Sequence, residues 1–208
     1  VAASMLLQGM TSHYLLHGVR ETKPGDTMVV TAGAGGVGLI LTQMAAAEEA
    51  TVYSVVSSDE KEKLAYEAGA TKVFRYGEDL AEQIKAENGG GGVDVVYDGV
   101  GQDTFEMCLN VTRPRGLVCS FGSASGDVEP FKIQELNAHG ALFLTRPSLK
   151  HYVATDDEFL MRAQAVARAV EEGTVKIRIH PPYELKNARQ AHEDLQARKT
   201  TGSVVLKV

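Results

Sequence analysis

Residues 27–43 read TMVVTAGAGGVGLILTQ, and the order of residue types in this stretch decides the fold. An apolar, β-branched run enters the glycine turn GAGGVG at 33–38, and an apolar helical run leaves it. In such a strand–turn–helix unit, Gly33 suits the tight turn, Gly35 lets the backbone approach a pyrophosphate, and Gly38 lets the helix pack close to its strand. Backbone N–H groups at the start of the helix are then free to bind phosphate. The stretch therefore predicts a dinucleotide-binding turn.

Composition indicates an ordinary globular chain. The 208 residues are 44% hydrophobic and 23% charged, and the net charge of −6 comes without a long basic run, which disfavours nucleic-acid binding. Cys108 and Cys119 lack the spacing of a metal site or a disulfide framework. We find no apolar span of membrane length and no secretory signal, so we expect a cytoplasmic protein. Because the chain begins with Val1 inside an apolar helical pattern, we expect it to be a piece of a longer protein.

The first 148 residues alternate between strand-like and helix-like patterns. Strands are predicted, after the one that enters the glycine turn, at 51–57, 72–76, 93–100, 116–122 and 141–145. Helices are predicted at 1–18, 39–47, 58–68 and 79–87. Strands that are apolar on both faces and alternate with helices are typical of α/β proteins. We therefore predict a doubly wound parallel sheet (Rossmann fold) of about six strands, with helices on both faces, over residues 1–148.

The pattern changes after Pro147. Residues 149–208 predict a helix–strand–helix–strand segment, with helices at 157–172 and 187–199 and strands at 176–180 and 203–208. Strands need a sheet. Those at 176–180 and 203–208 either extend the main sheet or belong to a partner domain.

The end of the second strand indicates which dinucleotide would bind. An Asp or Glu usually holds the ribose 2′-hydroxyl of NAD at this point, and its charge would repel a 2′-phosphate. Here the strand ends at Ser57, with Lys61 one turn further on, and the acidic Asp59 lies beyond the strand tip. A hydroxyl and an ammonium group favour a 2′-phosphate, and so NADP(H). The alternative is that Lys61 is a solvated helix lysine.

Seven segments resemble one known family. The chain is similar over nearly its whole length to the cofactor-binding half of bacterial NADPH:quinone oxidoreductases, in the zinc-free branch of the medium-chain dehydrogenase/reductase superfamily. The segments are GMTSHYLL (9–16), AGAGGVGLI (32–40), EAGATKVFRY (67–76), VDVVYDGVG (93–101), GLVCSFGSASG (116–126), TRPSL (145–149) and AHEDLQARKTTGSVVL (191–206). The resemblance implies hydride transfer from NADPH to a quinone or conjugated carbonyl. It also implies that an N-terminal, β-rich GroES-like domain is missing, and that the chain alone is inactive or nearly so.

The resemblance also implies a set of cofactor contacts. Those at the pyrophosphate are Gly36 and Val37; those at the 2′-phosphate are Ser57, Lys61 and Tyr76; those at the nicotinamide are Thr11, Val100, Phe121 and Gly122. By the same resemblance, Arg198, near the end of the chain, also reaches the cofactor. Four of these residues have a plainer interpretation. Tyr76 could be a strand-end aromatic residue without a ligand, Phe121 a core residue, and Thr11 a residue that bonds back within its helix. Arg198 could simply complement a helix dipole.

No metal site and no catalytic acid are predicted. Zinc-dependent relatives carry a ligating cysteine four residues before the threonine that corresponds to Thr11, and here that position is Leu7. We interpret the six histidines as surface or core residues, and Cys119, in a buried strand, as an inert core residue.

Two other functions are compatible with the sequence, and one oligomeric state is expected. Enoyl-thioester and alkenal reductases share the same cofactor half. Some members of this branch are non-enzymatic nucleotide- or RNA-binding proteins, although the net charge of −6 disfavours RNA. By analogy with the family, and because an exposed apolar edge invites pairing, we expect a homodimer through the edge strand 141–145.

Overall fold

A six-stranded parallel sheet forms the centre of the molecule. In the computed structural model, which describes residues 2–208, the strand order is β3-β2-β1-β4-β5-β6. This is the doubly wound order, with its switch point between β1 and β4. The predicted α/β Rossmann fold is confirmed. The strands are β1 (Thr27–Val30), β2 (Thr51–Val56), β3 (Lys72–Arg75), β4 (Val93–Asp98), β5 (Thr112–Ser120) and β6 (Phe143–Thr145).

Helices cover both faces of this sheet. They are α1 (Ala2–Tyr14, continued by a π-helical turn at Leu15–Val19), α2 (Gly36–Ala47), α3 (Asp59–Glu67), α4 (Leu80–Glu87), α5 (Phe105–Val111), α6 (Gln134–Ala138), α7 (Leu149–Tyr152), α8 (Asp156–Glu171) and α9 (Ala188–Gln196, preceded by a 3₁₀ turn at Leu185–Asn187). Side chains of β1 alternate between two cores. Met28 and Val30 pack with α1, α2 and α8, whereas Val29 packs with α4 and α5. Period-2 alternation with both faces covered explains why both faces of the central strands are mostly apolar.

Several local predictions were wrong. The sequence analysis did not predict α5, α6 or α7, and it began the fifth strand four residues after Thr112, where β5 starts. The segment 176–180 is extended but forms no strand, apart from one bridge between Ile179 and Ser203. Its backbone bonds to Ser203, through the Arg178 carbonyl (2.9 Å) and the His180 N–H (2.8 Å), and to a helix side chain, because the Lys176 N–H donates to Gln43 Oε1 (2.8 Å).

The end of the chain does not extend the main sheet. The predicted terminal strand is reduced to β8 (Leu206–Lys207), which pairs with β7 (Tyr183–Glu184) in a separate two-stranded sheet. Just before it, the Gly202 N–H donates to the Ala34 carbonyl (3.0 Å), so this segment crosses the glycine turn. Within residues 2–208, no helix is both long enough and apolar enough to cross a membrane.

Candidate cofactor site

The glycine turn is shaped by the residue before it. Ala32 has a left-handed backbone (φ +49°), and its carbonyl accepts the Gly35 N–H (2.8 Å). That carbonyl oxygen would lie only 2.6 Å from a Cβ atom at Gly38 and 3.1 Å from one at Gly35. A Cβ atom at Gly33 would lie 1.8 Å from Ser54 Oγ. Side chains at these positions would therefore push the turn away from the sheet.

The first turn of α2 offers its backbone to a ligand. Gly35 is the N-cap residue in an extended conformation (ψ 174°), and no side chain caps the helix. The N–H groups that open a helix lack intrahelical acceptors and attract anions. Gly36 and Val37 supply the first of them. An uncapped helix start beside a turn that excludes side chains fits a pyrophosphate group.

Seven of the predicted site residues surround one cavity of about 180 Å³. They are Gly33, Gly35, Ser57, Lys61, Tyr76, Val100 and Arg198. They come from the residues that follow β1, β2, β3 and β4, from the first turn of α3, and from the segment after α9. The carboxyl ends of parallel strands meet at one edge of a sheet, which explains how residues so distant in sequence come together.

Lys61 joins two parts of this cavity. Its ammonium group donates to Ser57 Oγ (3.1 Å) and to the carbonyl oxygen of Arg198 (2.6 Å). Burial lowers the pKa of Lys61, and the nearby Arg198 guanidinium lowers it further. A negatively charged acceptor beside the ammonium group would raise the pKa of Lys61 again, because it favours the charged form.

The Tyr76 hydroxyl is bonded to the backbone. It accepts the Ala32 N–H (2.8 Å) and lies 3.4 Å from the carbonyl oxygen of Val55, to which it donates. Burial raises the pKa of Tyr76 to about 12, so the hydroxyl keeps its proton at neutral pH. In this geometry Tyr76 supports the glycine turn.

Arg198 lies two residues beyond the last residue of α9. Its backbone is left-handed (φ +56°), and its guanidinium lies 3.3 Å from the carboxylate of Asp103. Asp103 follows β4, so this exposed ion pair joins the segment after α9 to the loop after β4.

The residues predicted at the nicotinamide end lie elsewhere. Thr11 Oγ1 donates to the Leu7 carbonyl (2.7 Å) within α1, as the plainer interpretation proposed. Thr11 and Phe121 line a second cavity of about 440 Å³. Gly122 lines a third, of about 480 Å³. The structure therefore spreads the predicted nicotinamide contacts over three cavities, with Val100 in the first.

The sequence analysis did not single out Asp98 as a site residue. This buried carboxylate at the end of β4 accepts hydrogen bonds from Thr31 Oγ1 and Thr104 Oγ1 (2.7 Å each). It also accepts the N–H groups of Val100 (3.2 Å) and Gly101 (2.9 Å). Asp98 thereby fixes the loop that carries Val100. A carboxylate directly after the apolar run 95–97 was the available signal, because buried charges require partners.

Two histidines that the sequence suggested were surface or core residues lie side by side and contact charged side chains. His13 and His17 lie one turn apart in α1, with ring centres 4.6 Å apart. His17 Nε2 lies 3.1 Å from a Glu48 oxygen, and His13 Nδ1 lies 3.0 Å from the Arg162 guanidinium. In the part of the chain that the structure describes, no group of three or more His, Cys, Asp or Glu residues is placed to hold a metal ion. A site without metal remains a prediction.

Comparison with known proteins assigns the family. The sequence pattern of the family described as zinc-binding dehydrogenase matches residues 36–164. The chain belongs to this family. It is 38% identical over 98% of its length to a 2-haloacrylate reductase from Burkholderia, and 41% identical over 99% to a quinone oxidoreductase from Salmonella typhimurium. The resemblance to the quinone oxidoreductase branch is confirmed.

A solved structure agrees closely with the fold. The NADPH complex of a mycobacterial protein superposes on all of this chain with a TM-score of 0.97 and 48% sequence identity. The chain spans 62% and 64% of the length of the two curated relatives, and 65% of the mycobacterial chain.

Proposed function

We propose that this chain is the NADPH-binding portion of an oxidoreductase of the quinone reductase type. The observation that carries the proposal is the meeting of the glycine turn, Ser57, Lys61 and Arg198 at one cavity. An uncapped helix start binds pyrophosphate, while a hydroxyl and two cations bind a 2′-phosphate. The mycobacterial structure with NADPH and the quinone oxidoreductase relative support the same assignment.

The electrostatics at the tip of β2 favour a phosphate. Asp59 is the nearest acidic residue, and its carboxylate is paired with the Arg75 guanidinium (2.7 Å). Arg75 also pairs with Glu62, so one cation lies between the two carboxylates. The cavity side of the tip holds the Ser57 hydroxyl and the Lys61 ammonium group, which can both donate to a 2′-phosphate. The Glu60 carboxylate, next to Lys61 in α3, opposes such a phosphate only from an exposed position.

NADPH would supply the hydride, and the protein would supply orientation and charge complementarity. Gly36 and Val37 would hold the pyrophosphate, Lys61 and Arg198 would hold the adenosine end, and Thr11, Phe121 and Gly122 would border the nicotinamide. We assign no catalytic acid. The chain spans less than two thirds of the length of its two curated relatives. For that reason we place most contacts to the electron acceptor in the part of those relatives that it does not span. We therefore expect the chain alone to reduce quinones slowly or not at all.

The acceptor is a quinone or a conjugated carbonyl. The 2-haloacrylate reductase relative favours a conjugated acid or carbonyl as the second candidate. A screen of a benzoquinone, an alkenal, an enoyl thioester and 2-chloroacrylate with a full-length homologue of this sequence would separate the candidates. A non-enzymatic RNA-binding role is the third candidate, and retention of single-stranded RNA on a filter at low salt would support it.

We also propose a homodimer through the edge strand 141–145. Among residues 2–208, β6 pairs only with β5, and its Phe143 side chain is 65% exposed. An unpaired apolar edge favours strand addition. Light scattering at micromolar concentration should give the mass of two chains, and Phe143→Lys should reduce it to that of one. A monomeric wild-type chain would contradict this arrangement. The predicted cytoplasmic location stays a prediction.

The test of the proposed function is a titration with NADPH and with NADH, followed by nicotinamide fluorescence. We expect NADPH to bind at least about tenfold more tightly, since a charge-assisted contact is worth roughly 1.5–3 kcal/mol. Equal affinities would contradict the 2′-phosphate assignment. Absence of binding by either cofactor would contradict the proposed function for this chain, and a fast quinone reductase rate would contradict its expected inactivity.

A further inference from the structure

Arg162 is a buried cation that pairs with no carboxylate among residues 2–208. It lies on α8 and is only 5% exposed. Its Nε donates to the Tyr152 carbonyl oxygen (2.7 Å), and its Nη1 lies 3.0 Å from His13 Nδ1. Glu158, one turn earlier on α8, directs its carboxylate to backbone N–H groups at the start of the helix instead. Because a buried charge needs hydrogen-bond partners, these neutral acceptors fix where the guanidinium lies.

The bond from Arg162 holds the end of α7, a helix of only four residues (Leu149–Tyr152). So short a helix is not stable by itself, and its position depends on contacts with its neighbours. The carbonyl groups that end a helix have no partner within it, and Arg162 bonds the carbonyl of Tyr152. The guanidinium also lies 5.7 Å from the centre of the Tyr152 ring. Arg162 therefore fixes both the backbone and the ring of Tyr152.

The Tyr152 ring connects this contact to α1. It stacks on the ring of the buried Tyr14, with ring centres 4.5 Å apart and planes 11° apart. Tyr14 lines the second cavity, of about 440 Å³, and so does Leu149 at the other end of α7. Thr11, which would border the nicotinamide in the proposed function, lines the same cavity. Two walls of this cavity thus depend on where Tyr152 lies.

We propose that Arg162 is a positioning residue for the nicotinamide end of the cofactor site. Through Tyr152 it holds α7 against α1, and so it sets the distance between Leu149 and Thr11 across the second cavity. This inference rests on the proposed function and extends it to a residue that lies behind the wall of the cavity and does not line it.

Gly18 is in contact with the same pair of side chains. A Cβ atom at Gly18 would lie 2.9 Å from Cδ1 of the Tyr152 ring and 3.1 Å from Arg162 Nη2. Separations as short as these force one of the neighbours to move. Gly18→Ala therefore displaces the contact between Arg162 and Tyr152 from the side of α1, and it removes none of their hydrogen-bonding groups.

Two ligands isolate the nicotinamide end of the site. NADPH and 2′-phospho-ADP-ribose share the 2′-phosphate, the pyrophosphate and both riboses, and only NADPH carries the nicotinamide. We expect the wild-type chain to bind NADPH more tightly. Arg162→Met keeps the apolar stem without a donor, and it should weaken NADPH about fivefold while changing 2′-phospho-ADP-ribose by less than about twofold. Calorimetry measures both affinities.

Nicotinamide fluorescence gives a second readout of the same variant. Because the ring is held less firmly in a displaced cavity, the emission of bound NADPH in Arg162→Met should shift towards that of free NADPH. Arg162→Lys keeps one donor for the Tyr152 carbonyl, so it should recover part of the NADPH affinity. Arg168→Met, at an exposed arginine on the same helix, should behave as wild type. Gly18→Ala should weaken NADPH selectively, and it decides the question if Arg162→Met does not fold.

Three results would overturn the inference. One is an equal loss of affinity for the two ligands in Arg162→Met or Gly18→Ala. Another is a lower melting temperature with unchanged NADPH affinity, because Arg162 would then only stabilise the fold. The third is a wild-type chain that binds both ligands equally, since the nicotinamide would then have no site on this chain, although the adenosine assignment would stand. A wild-type chain that binds neither ligand contradicts the proposed function itself.

Discussion

The Lys61 ammonium group donates a hydrogen bond of 2.6 Å to the carbonyl oxygen of Arg198, a residue 137 positions further along the chain. This bond joins α3, which follows the tip of β2, to the segment that crosses the glycine turn. It brings two cations to the same side of the cavity, beside Ser57. The bond therefore links the tip of β2 to the C-terminal segment at the candidate cofactor site.

Lys61→Met should weaken NADPH binding by about 10- to 100-fold, because a charge-assisted contact to phosphate is lost. NADH binding should change by less than about threefold, because NADH has no 2′-phosphate and the loss of an exposed contact has only a small effect. Nicotinamide fluorescence measures both affinities. Lys63→Met is the control, since Lys63 is exposed on the same helix and carries the same charge. Equal losses for the two cofactors would contradict a role at the 2′-phosphate.

The contact between Gly33 and Ser54 gives a second prediction. A Cβ atom at Gly33 would overlap Ser54 Oγ at 1.8 Å, so Gly33→Ala should destabilise the fold by roughly 3 kcal/mol. Ser54 Oγ is buried and has no hydrogen-bond partner, so Ser54→Ala should cost nothing or stabilise slightly. Once that oxygen is removed, the nearest atom is the residue-54 Cβ, at 3.1 Å.

The double variant Gly33→Ala/Ser54→Ala should therefore recover at least half of the stability that Gly33→Ala loses. Urea denaturation followed by circular dichroism measures all three free energies of unfolding. Additive effects in the double variant would show that the Gly33–Ser54 contact does not limit the turn.

The sheet and the glycine turn were predictable because the residue patterns that indicate them are contiguous in the sequence. The run TMVVTAGAGGVG contains the strand, the turn and the start of the helix, and the buried strands of a parallel sheet are nearly continuous apolar runs, as in β1 and β2. The segment 176–180 has an alternating pattern that is equally typical of a strand. A strand also requires a neighbouring strand along its length. Here the Ser203 backbone bonds the segment at Arg178 and His180, while the Gln43 side chain bonds Lys176. The pattern gives no information about these partners.

The site was predictable in part for a similar reason. Ser57 and Val100 each lie just after a strand, and the carboxyl ends of parallel strands meet at one edge of the sheet. The bonds that organise the site, Tyr76 to Ala32 and Asp98 to its four donors, join a side chain to backbone or hydroxyl groups distant in sequence. Any polar residue can make such bonds, so composition and spacing do not identify the partners.

Asp98→Ala should destabilise the fold by about 3–5 kcal/mol, because it leaves two hydroxyls and two backbone N–H groups buried without their acceptor. Asp98→Asn keeps the volume but replaces two acceptor sites by donors, so we expect a smaller loss. Urea denaturation tests both variants, with the exposed Asp127→Ala as the control. A loss below about 1 kcal/mol for Asp98→Ala would mean that water replaces the carboxylate.

The His13–Arg162 contact predicts how stability depends on pH. Burial, with smaller contributions from the neighbouring His17 and Arg162, lowers the pKa of His13 from 6.5 to about 4. His13 accepts from Arg162 only when neutral, and His17 in turn faces Glu48 on α2. Between pH 6.5 and 4 the unfolded chain binds a proton at this position that the folded chain does not. The contribution of neutral His13 is therefore complete above pH 6.5 and is lost as the pH falls towards 4.

We expect the wild-type chain to lose about 1–2 kcal/mol more stability between pH 7 and pH 4.5 than the variant His13→Gln, a figure reduced for the partial exposure of the imidazole. Glutamine keeps an acceptor for Arg162 but does not titrate. Urea denaturation at several pH values measures the difference, and His151→Gln, at an exposed histidine, should behave as wild type. Parallel pH profiles for the wild type and His13→Gln would show that His13 titrates alike in the folded and unfolded chains.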